Sequence, residues 1–373
     1  MSKLRVAVLY GSRSTEHEVS IITALQVMEN LDLSKYEIIP IYISKTGRWI
    51  KGDSSLLKPN TYKDLDQIES KLPSLLINPQ SSFSQTSALS RALPLPKIDV
   101  VFPVFHGTFG EDGSVQGLLE ISDLPYVGCG VLASSVGMDK FVQKMVFSAA
   151  SLPQVKSNQT GTGLKYPLFV KPANGGSSIG ITKAKNTKEL ISAIEVAKCY
   201  DRKVIIEESA EGFSEVNISV LGNTGGELKT SVCEKPVPSL EVLTYDDKYK
   251  SGGKGMAGAK RLIPAPIKPA TAAKVAEYAK IAFEAIDGSG MARVDFLVSP
   301  DEKTIYINEI NTIPGSLAFY LWEASGLKFS QLLDELIRLA LEKYAANSKL
   351  VHTFSSNILA NLGNTLKGGK LKN

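Results

Sequence analysis

MARVDFLVSPDEKTIYINEINTIPGSL, running from Met291 to Leu317, decides the architecture of this chain. It reads as two strands joined by the polar turn Ser299-Pro300-Asp301-Glu302. Arg293, Asp295 and Leu297 alternate with Val294 and Phe296, and the return strand runs from Ile305 to Asn311. Side chains alternate faces along a strand, so Arg293 and Asp295 share one face of the first strand, and Glu309 and Asn311 one face of the second. If the strands pair, Asp295, Glu309 and Asn311 converge. Three oxygen donors without Cys or His suit a hard cation, Mg²⁺ or Mn²⁺, which takes its remaining ligands from substrate phosphates and water. A solvated hairpin with an Asp/Arg pair is the plainer alternative, but these polar residues sit inside otherwise apolar strands. Pro314-Gly315-Ser316 then ends the second strand in a turn and leaves a backbone N–H at Gly315.

Outward from this hairpin, 373 residues are enough for two or three domains, each with its own core. A formal net charge of +4 is too weak to point to nucleic acid. Cys129, Cys199 and Cys233 form no CxxC pair, which fits a reducing cytosol and gives neither a disulfide framework nor a zinc site. No apolar run is long enough to span a bilayer, and the N-terminus enters a strand within a few residues, so neither a membrane anchor nor a signal peptide is expected. The expected location is cytoplasmic.

Leu4 to Tyr10 is a continuous apolar run, the mark of a strand buried on both faces. Gly11-Ser12-Arg13-Ser14 is its turn, a helix is expected from about Glu16 to Asn30, and Tyr36 to Ile43 is the next strand. This order predicts a parallel α/β domain with ligands at the carboxyl ends of its strands. Thr15-Glu16-His17-Glu18 fits a capping box, in which Glu18 would only bind backbone; Glu18 also lies near the ligand edge. Ile98 to Phe105 is a further buried strand, and His106-Gly107-Thr108-Phe109-Gly110-Glu111-Asp112-Gly113 follows at its carboxyl end. Residues 52–97 read as loops and short helices. A boundary is expected near Gly137, after which Asp139 can cap a helix from Lys140.

Tyr166 to Pro172 is a short strand carrying Lys171, and it runs into Ala173-Asn174-Gly175-Gly176-Ser177-Ser178-Ile179-Gly180. That loop offers hydroxyls and backbone N–H groups to phosphate oxygens, although GxxxxGK[ST] is absent. A strand from Val204 ends in Glu207-Glu208, and Glu215 opens another; carboxylates there could meet a ribose or an exocyclic amine. Residues 244–261 hold four glycines among basic residues, as a mobile lid over phosphates would. Residues 348–373 form a basic tail with no assigned role.

Taken in order, GSRSTEHEVS, FHGTFGEDG, MDK, VKPANGGSSIG, the Glu207 and Glu215 strands, YDDKYKSG, ARVDF and NEINTIPGS resemble the D-alanine–D-alanine ligases of the ATP-grasp superfamily. The resemblance runs from the N-terminus to about Ala345. It implies an α/β and α+β chain: an ATP-grasp fold behind an N-terminal Rossmann-like parallel-sheet domain. The expected divisions are 1–137, 138–228, 229–347 and the tail. It further implies that ATP phosphorylates the carboxylate of one D-alanine, and that the amine of a second displaces the phosphate.

Carried over by motif, the ATP contacts are Lys140, Lys171, Ser177, Glu207, Glu208, Ala210, Glu215, Lys248, Asn308 and Glu309. Asp295, Glu309 and Asn311 hold Mg²⁺ or Mn²⁺, with two ions expected. Glu18 binds the first D-alanine's ammonium and joins Ser177 and Tyr249 in a group that closes the lid. Arg293 and the Gly315 N–H form an oxyanion hole, Ser316 and Leu317 receive the second carboxylate, and His106 lies near the substrates. The partners implied are small molecules, ATP and D-alanine, with a homodimer as the expected assembly. Glu211 to Glu215 is one residue longer than the usual spacing. Three rivals stand beside this reading. One is a D-lactate or D-serine ligase, of which the D-lactate type places His where Tyr249 stands. The others are another ATP-grasp ligase and a non-catalytic nucleotide-binding regulator on the same fold.

Overall fold

A computed structural model of the chain describes residues 3–78, 82–85, 93–94, 97–237 and 260–356. The first sheet has the order Trp49–Lys51, Tyr36–Ile43, Leu4–Gly11, Val100–Pro103. Its last three strands are parallel, and only the edge strand Trp49–Lys51 runs antiparallel. Leu4–Gly11 is covered on both faces, as its unbroken apolar run requires. Val6, Val8 and Tyr10 pack toward the helix His17–Asn30, while Ala7 and Leu9 pack with Val101, Phe105 and Leu119 on the other side.

The helix Phe329–Asn347 closes the first of these cores with Leu332, Leu333, Leu336 and Ile337. Tyr36 donates from its hydroxyl to Asp334 at 2.8 Å, and Lys35 pairs with the same carboxylate at 2.6 Å. The N-terminal core is therefore built from both ends of the chain, because the apolar stripe of this late helix finds its partner there. Phe354, beyond that helix, is 84% exposed.

Two antiparallel sheets follow. One has the order Thr182–Ala184, Leu168–Pro172, Val204–Glu208, Ser157–Asn158, and the helix Thr187–Lys198 covers it. The other has the order Lys229–Thr230, Ser214–Asn223, Ser289–Val298, Ile305–Asn311. Strand alternation splits this last sheet cleanly. Val216, Ile218, Ala292, Val294 and Phe296 pack with the helix Pro269–Ala285, and Glu215, Asn217, Arg293 and Asp295 turn to the opposite face. The face that cannot be apolar is the one that fronts a cavity.

Some local expectations shift. Gly137 lies inside the helix Val131–Met138, where a Cβ would come within 2.8 Å of Thr312. The helix Lys140–Ala149 starts as expected, with the Asp139 carboxylate accepting from the Phe141 and Val142 amides at 3.1 Å. Thr15 and Glu18 do not form a capping box: Glu16 is the N-cap residue of His17–Asn30, and no side chain caps that helix. Among the described residues no helix is long and apolar enough to cross a membrane.

Candidate functional site

The hairpin pairs Arg293 with Asn311 and Asp295 with Glu309. Register then shifts between Asp295 and Phe296, which faces Ile307. Asn308 is thereby the extra residue of a β-bulge, and a bulge turns two consecutive side chains the same way. Asn308 and Glu309 both line the cavity as a result. Arg293 is buried and grips Asp295 with both arms, Nε to Oδ1 and Nη2 to Oδ2, each at 2.7 Å. Asn311 donates from Nδ2 to Asp295 Oδ2 at 3.0 Å, which leaves its own carbonyl oxygen as an acceptor.

The facing wall comes from the other antiparallel sheet and the helix Lys140–Ala149. Lys140 donates to the Gly175 carbonyl at 2.5 Å and stands 3.4 Å from Glu309. Glu207 is buried between two ammonium groups, Lys171 at 2.6 Å and Lys144 at 3.1 Å. Burial alone would push the Glu207 carboxyl up, but Lys144 and Lys171 outweigh it and hold the group down at about 2. The Glu207 carboxylate is thus spent on lysines, not presented to a base as expected. Lys140, Lys171, Ser177, Glu207, Glu208, Ala210, Glu215, Asp295, Asn308 and Glu309 all line one cavity of about 430 Å³ between the two sheets.

At one end of this cavity the Gly-rich loop meets the N-terminal domain. Ser177 and Ser178 have φ of 52° and 61°, a left-handed backbone that aims the Ser177 hydroxyl across the domain junction. It donates to the Glu16 carboxylate. A Cβ on Gly176 would meet Glu16 Oε2 at 2.4 Å, so only glycine lets the loop approach so closely. Glu18, expected in this place, is two residues further round the helix. It is 63% exposed and pairs with Lys45 at 2.8 Å. Two residues on a helix turn the side chain by more than half a revolution, which sends Glu18 away from the junction.

Beyond Glu16 lies a second set of polar groups. The Glu111 carboxylate accepts the Gly107 N–H at 2.9 Å and the Ile313 N–H at 3.3 Å. Burial and the nearby Glu16 carboxylate push its pKa up to about 8. His106 is buried, with Nε2 2.8 Å from the Thr23 hydroxyl. Burial pushes the imidazole down to about 4, aided by the charge of Arg293 and opposed by a hydrogen bond to the Ile313 backbone. Gly315 heads a short turn in which Ser316, Leu317 and Ala318 are all buried. Their φ values of 52°, 51° and 45° place three L-residues in succession in the left-handed region. Each costs roughly 1–2 kcal/mol there, and strain of this kind persists only where surrounding contacts impose it.

Lys248 and Tyr249 lie outside the described residues. Glu16, Thr23, Glu111 and Lys144 were not singled out by sequence reasoning. Glu16 carried a usable signal, as the first acid after the strand-end turn. Glu111 sat within a quoted motif but was assigned nothing. Thr23 and Lys144 look like ordinary helix residues until their tertiary partners are known.

Comparison with known proteins agrees across the chain. The family described as "D-ala D-ala ligase N-terminus" matches residues 5–129, and "D-ala D-ala ligase C-terminus" matches residues 132–338. A D-alanine–D-alanine ligase of Chloroherpeton thalassium is 43% identical over 92% of this chain and 98% of its own length. The D-alanine–D-alanine ligase structure from Coxiella burnetii superposes with a TM-score of 0.79 at 31% identity, covering 98% of this chain and 100% of that one. The VanG D-Ala:D-Ser ligase of Enterococcus faecalis superposes with a TM-score of 0.77 at 34% identity, over 91% and 100%.

Proposed function

Because the chain belongs to the D-alanine–D-alanine ligase family and is a ligase that joins two D-alanines with ATP, we propose that its two chemical halves divide between two neighbouring spaces. The cavity between the antiparallel sheets takes the nucleotide. The space bounded by Glu16, His106, Glu111 and the Ser316–Ala318 turn takes the amino acids. Ser177 carries this reading, since it lines the first space and donates to the carboxylate of the second. The fold is ATP-grasp with a parallel α/β domain ahead of it, and the dipeptide serves peptidoglycan synthesis.

A carboxylate is a poor acyl donor. The first D-alanine's carboxylate oxygen attacks the γ-phosphorus of ATP, ADP leaves, and an acyl phosphate forms. The second D-alanine's amine attacks the acyl carbon, and the tetrahedral intermediate expels phosphate. Anions must crowd together in both steps, so fixed positive charge and backbone donors carry the catalysis. Lys140 and Lys171 supply charge at the phosphates, with Lys171 held in place by Glu207. Glu208 and Ala210 flank the adenine, and Glu215 the ribose. Arg293 and the Gly315 N–H face the developing oxyanion. Glu16, in place of Glu18, receives the first ammonium. The Ser316 and Leu317 turn receives the second carboxylate.

The family implies ATP and a divalent metal. Among the described residues no group of three or more His, Cys, Asp and Glu side chains gathers as a metal site. Two carboxylates and an amide do gather, Asp295, Glu309 and Asn311, and this all-oxygen set fits Mg²⁺ or Mn²⁺. When bound, two such ions would neutralise charge on the phosphates. We place the enzyme in the cytoplasm.

Phosphate release from ATP with D-alanine, L-alanine, D-serine and D-lactate, followed by product analysis, tests the assignment. D-Alanine alone should suffice and yield D-alanyl-D-alanine. The D-serine arm matters because a D-Ala:D-Ser ligase is a structural neighbour. A mixed dipeptide in excess over D-alanyl-D-alanine would overturn the choice of second substrate, and no turnover with D-alanine would overturn the whole reading.

Gly176→Ala tests the placement of Glu16. The added methyl meets the far end of a flexible side chain, so the carboxylate swings aside and the chain still folds. Hydrogen bonds to charged groups contribute about 1.5–3 kcal/mol. The KM for the first D-alanine should therefore rise on the order of ten- to a hundredfold, and by more than the ATP constant, which the same loop also touches. A first-site KM equal to wild type would place the ammonium elsewhere.

A further inference from the structure

The turn Ser316–Ala318 holds three consecutive left-handed L-residues, so something outside it must impose that shape. One of its hydrogen bonds is internal, from the Leu317 N–H to the Pro314 carbonyl at 2.8 Å. Another reaches a different domain: the Ser316 N–H donates to the Thr23 hydroxyl oxygen at 3.2 Å, across 293 residues of sequence. Thr23 sits on the helix His17–Asn30 and is wholly buried. Its own proton has two acceptors within reach, the Val19 carbonyl at 3.1 Å and His106 Nε2 at 2.8 Å.

The imidazole decides between them. His106 also hydrogen-bonds the Ile313 backbone, and a neutral ring that donates to a carbonyl from one nitrogen accepts at the other. Burial keeps the ring neutral at ordinary pH. Nε2 is then the acceptor, and the nearer one, for the Thr23 proton. A relay results: Ser316 N–H to Thr23 oxygen, and Thr23 O–H to His106 Nε2. The turn is tied at Ser316 to one threonine of the helix His17–Asn30, whose hydroxyl the buried His106 orients.

We propose that Thr23 is a positioning residue for the second substrate, holding the Ser316–Leu317 turn in the shape that seats that substrate's carboxylate. This rests on the reading of that turn given above. Valine occupies the volume of threonine but sets a methyl against the Ser316 N–H and His106 Nε2, and both buried groups lose their partner. Serine keeps the hydroxyl and loses only a methyl.

The test compares two nucleophiles on the same acyl phosphate. Hydroxylamine has no carboxylate to seat. Its nitrogen attacks the acyl carbon, the carbon–oxygen bond to phosphate breaks, phosphate leaves, and the surplus proton passes to solvent. Wild type, Thr23→Val and Thr23→Ser are assayed with ATP, Mg²⁺ and D-alanine, with and without hydroxylamine. In Thr23→Val, kcat/KM for the second D-alanine should fall at least about tenfold, while D-alanyl hydroxamate forms within about twofold of wild type. Thr23→Ser should restore the dipeptide to nearly the wild-type rate. If valine prevents folding, Thr23→Ala carries the same expectations. Wild-type dipeptide synthesis in the valine variant overturns the proposal. So does hydroxamate falling in step with dipeptide, or a serine variant as impaired as the valine one. A wild type that makes neither product overturns the ligase reading itself, which the mutants alone cannot do.

Discussion

Glu309→Gln is expected to lower turnover by on the order of 10²–10³ while leaving the unfolding midpoint within a few degrees of wild type. Glu309 stands opposite Asp295, beside a bulge that turns Asn308 the same way. Its side chain keeps 24% of its surface accessible, so the isosteric amide costs the fold little. The loss falls on charge: the amide removes one of two anionic donors and can turn an N–H toward a cation. Lys140 still has the Gly175 carbonyl, so it is not left unpaired. Rates at saturating ATP across a Mg²⁺ titration are the measurement. Half-maximal activity should move to higher Mg²⁺, and excess chelator should abolish the wild-type reaction. An unchanged Mg²⁺ profile in the variant, or wild-type activity in chelator, would remove Glu309 from the metal site.

Arg293 should show two separable defects. It is buried and bidentate to Asp295, so Arg293→Ala strands a buried carboxylate. Breaking such a pair from one side typically costs about 3–5 kcal/mol, which predicts a large fall in unfolding midpoint together with lost activity. Arg293→Lys keeps the charge but cannot reproduce the planar fork. That variant should fold and bind ATP, yet turn over about 10²–10³ more slowly if the guanidinium also serves the tetrahedral state. The deciding comparison is kcat against ATP affinity in the lysine variant, with thermal unfolding of both variants alongside. Wild-type kcat in Arg293→Lys would mean that the arginine only braces Asp295.

The hairpin was legible because Arg293 and Asp295 alternate with Val294 and Phe296, and Glu309 and Asn311 flank Ile310, so period-two alternation puts the polar residues of each strand on one face. The bulge at Asn308 was not legible, since it is a property of how two strands pair and neither strand spells it alone. Glu16 and Glu18 show a similar limit. The spacing Thr15-x-x-Glu18 matched a capping box, and helix entry was judged locally. The carboxylate that meets the Gly-rich loop is instead Glu16, the partner of Ser177 161 residues away. Lys144 is four residues from Lys140 on one helix face, and only the burial of Glu207 gives it a task. The strain at Ser316, Leu317 and Ala318 has no sequence signature either, because none of the three is Gly or Asn. The helix Phe329–Asn347 packs both on the first core and on Leu221 and Met291 of the third sheet, a placement between two elements that its own apolar stripe does not spell.

The proposed reaction requires that the carboxylate of the first D-alanine become an acyl phosphate before the peptide bond forms. D-Alanine labelled with ¹⁸O in its carboxylate, supplied with ATP and Mg²⁺ in ordinary water, tests it most directly. Phosphate departs with the oxygen that attacked phosphorus, so one labelled oxygen should appear in each inorganic phosphate released during dipeptide synthesis. Dipeptide formed with unlabelled phosphate would rule out the acyl phosphate.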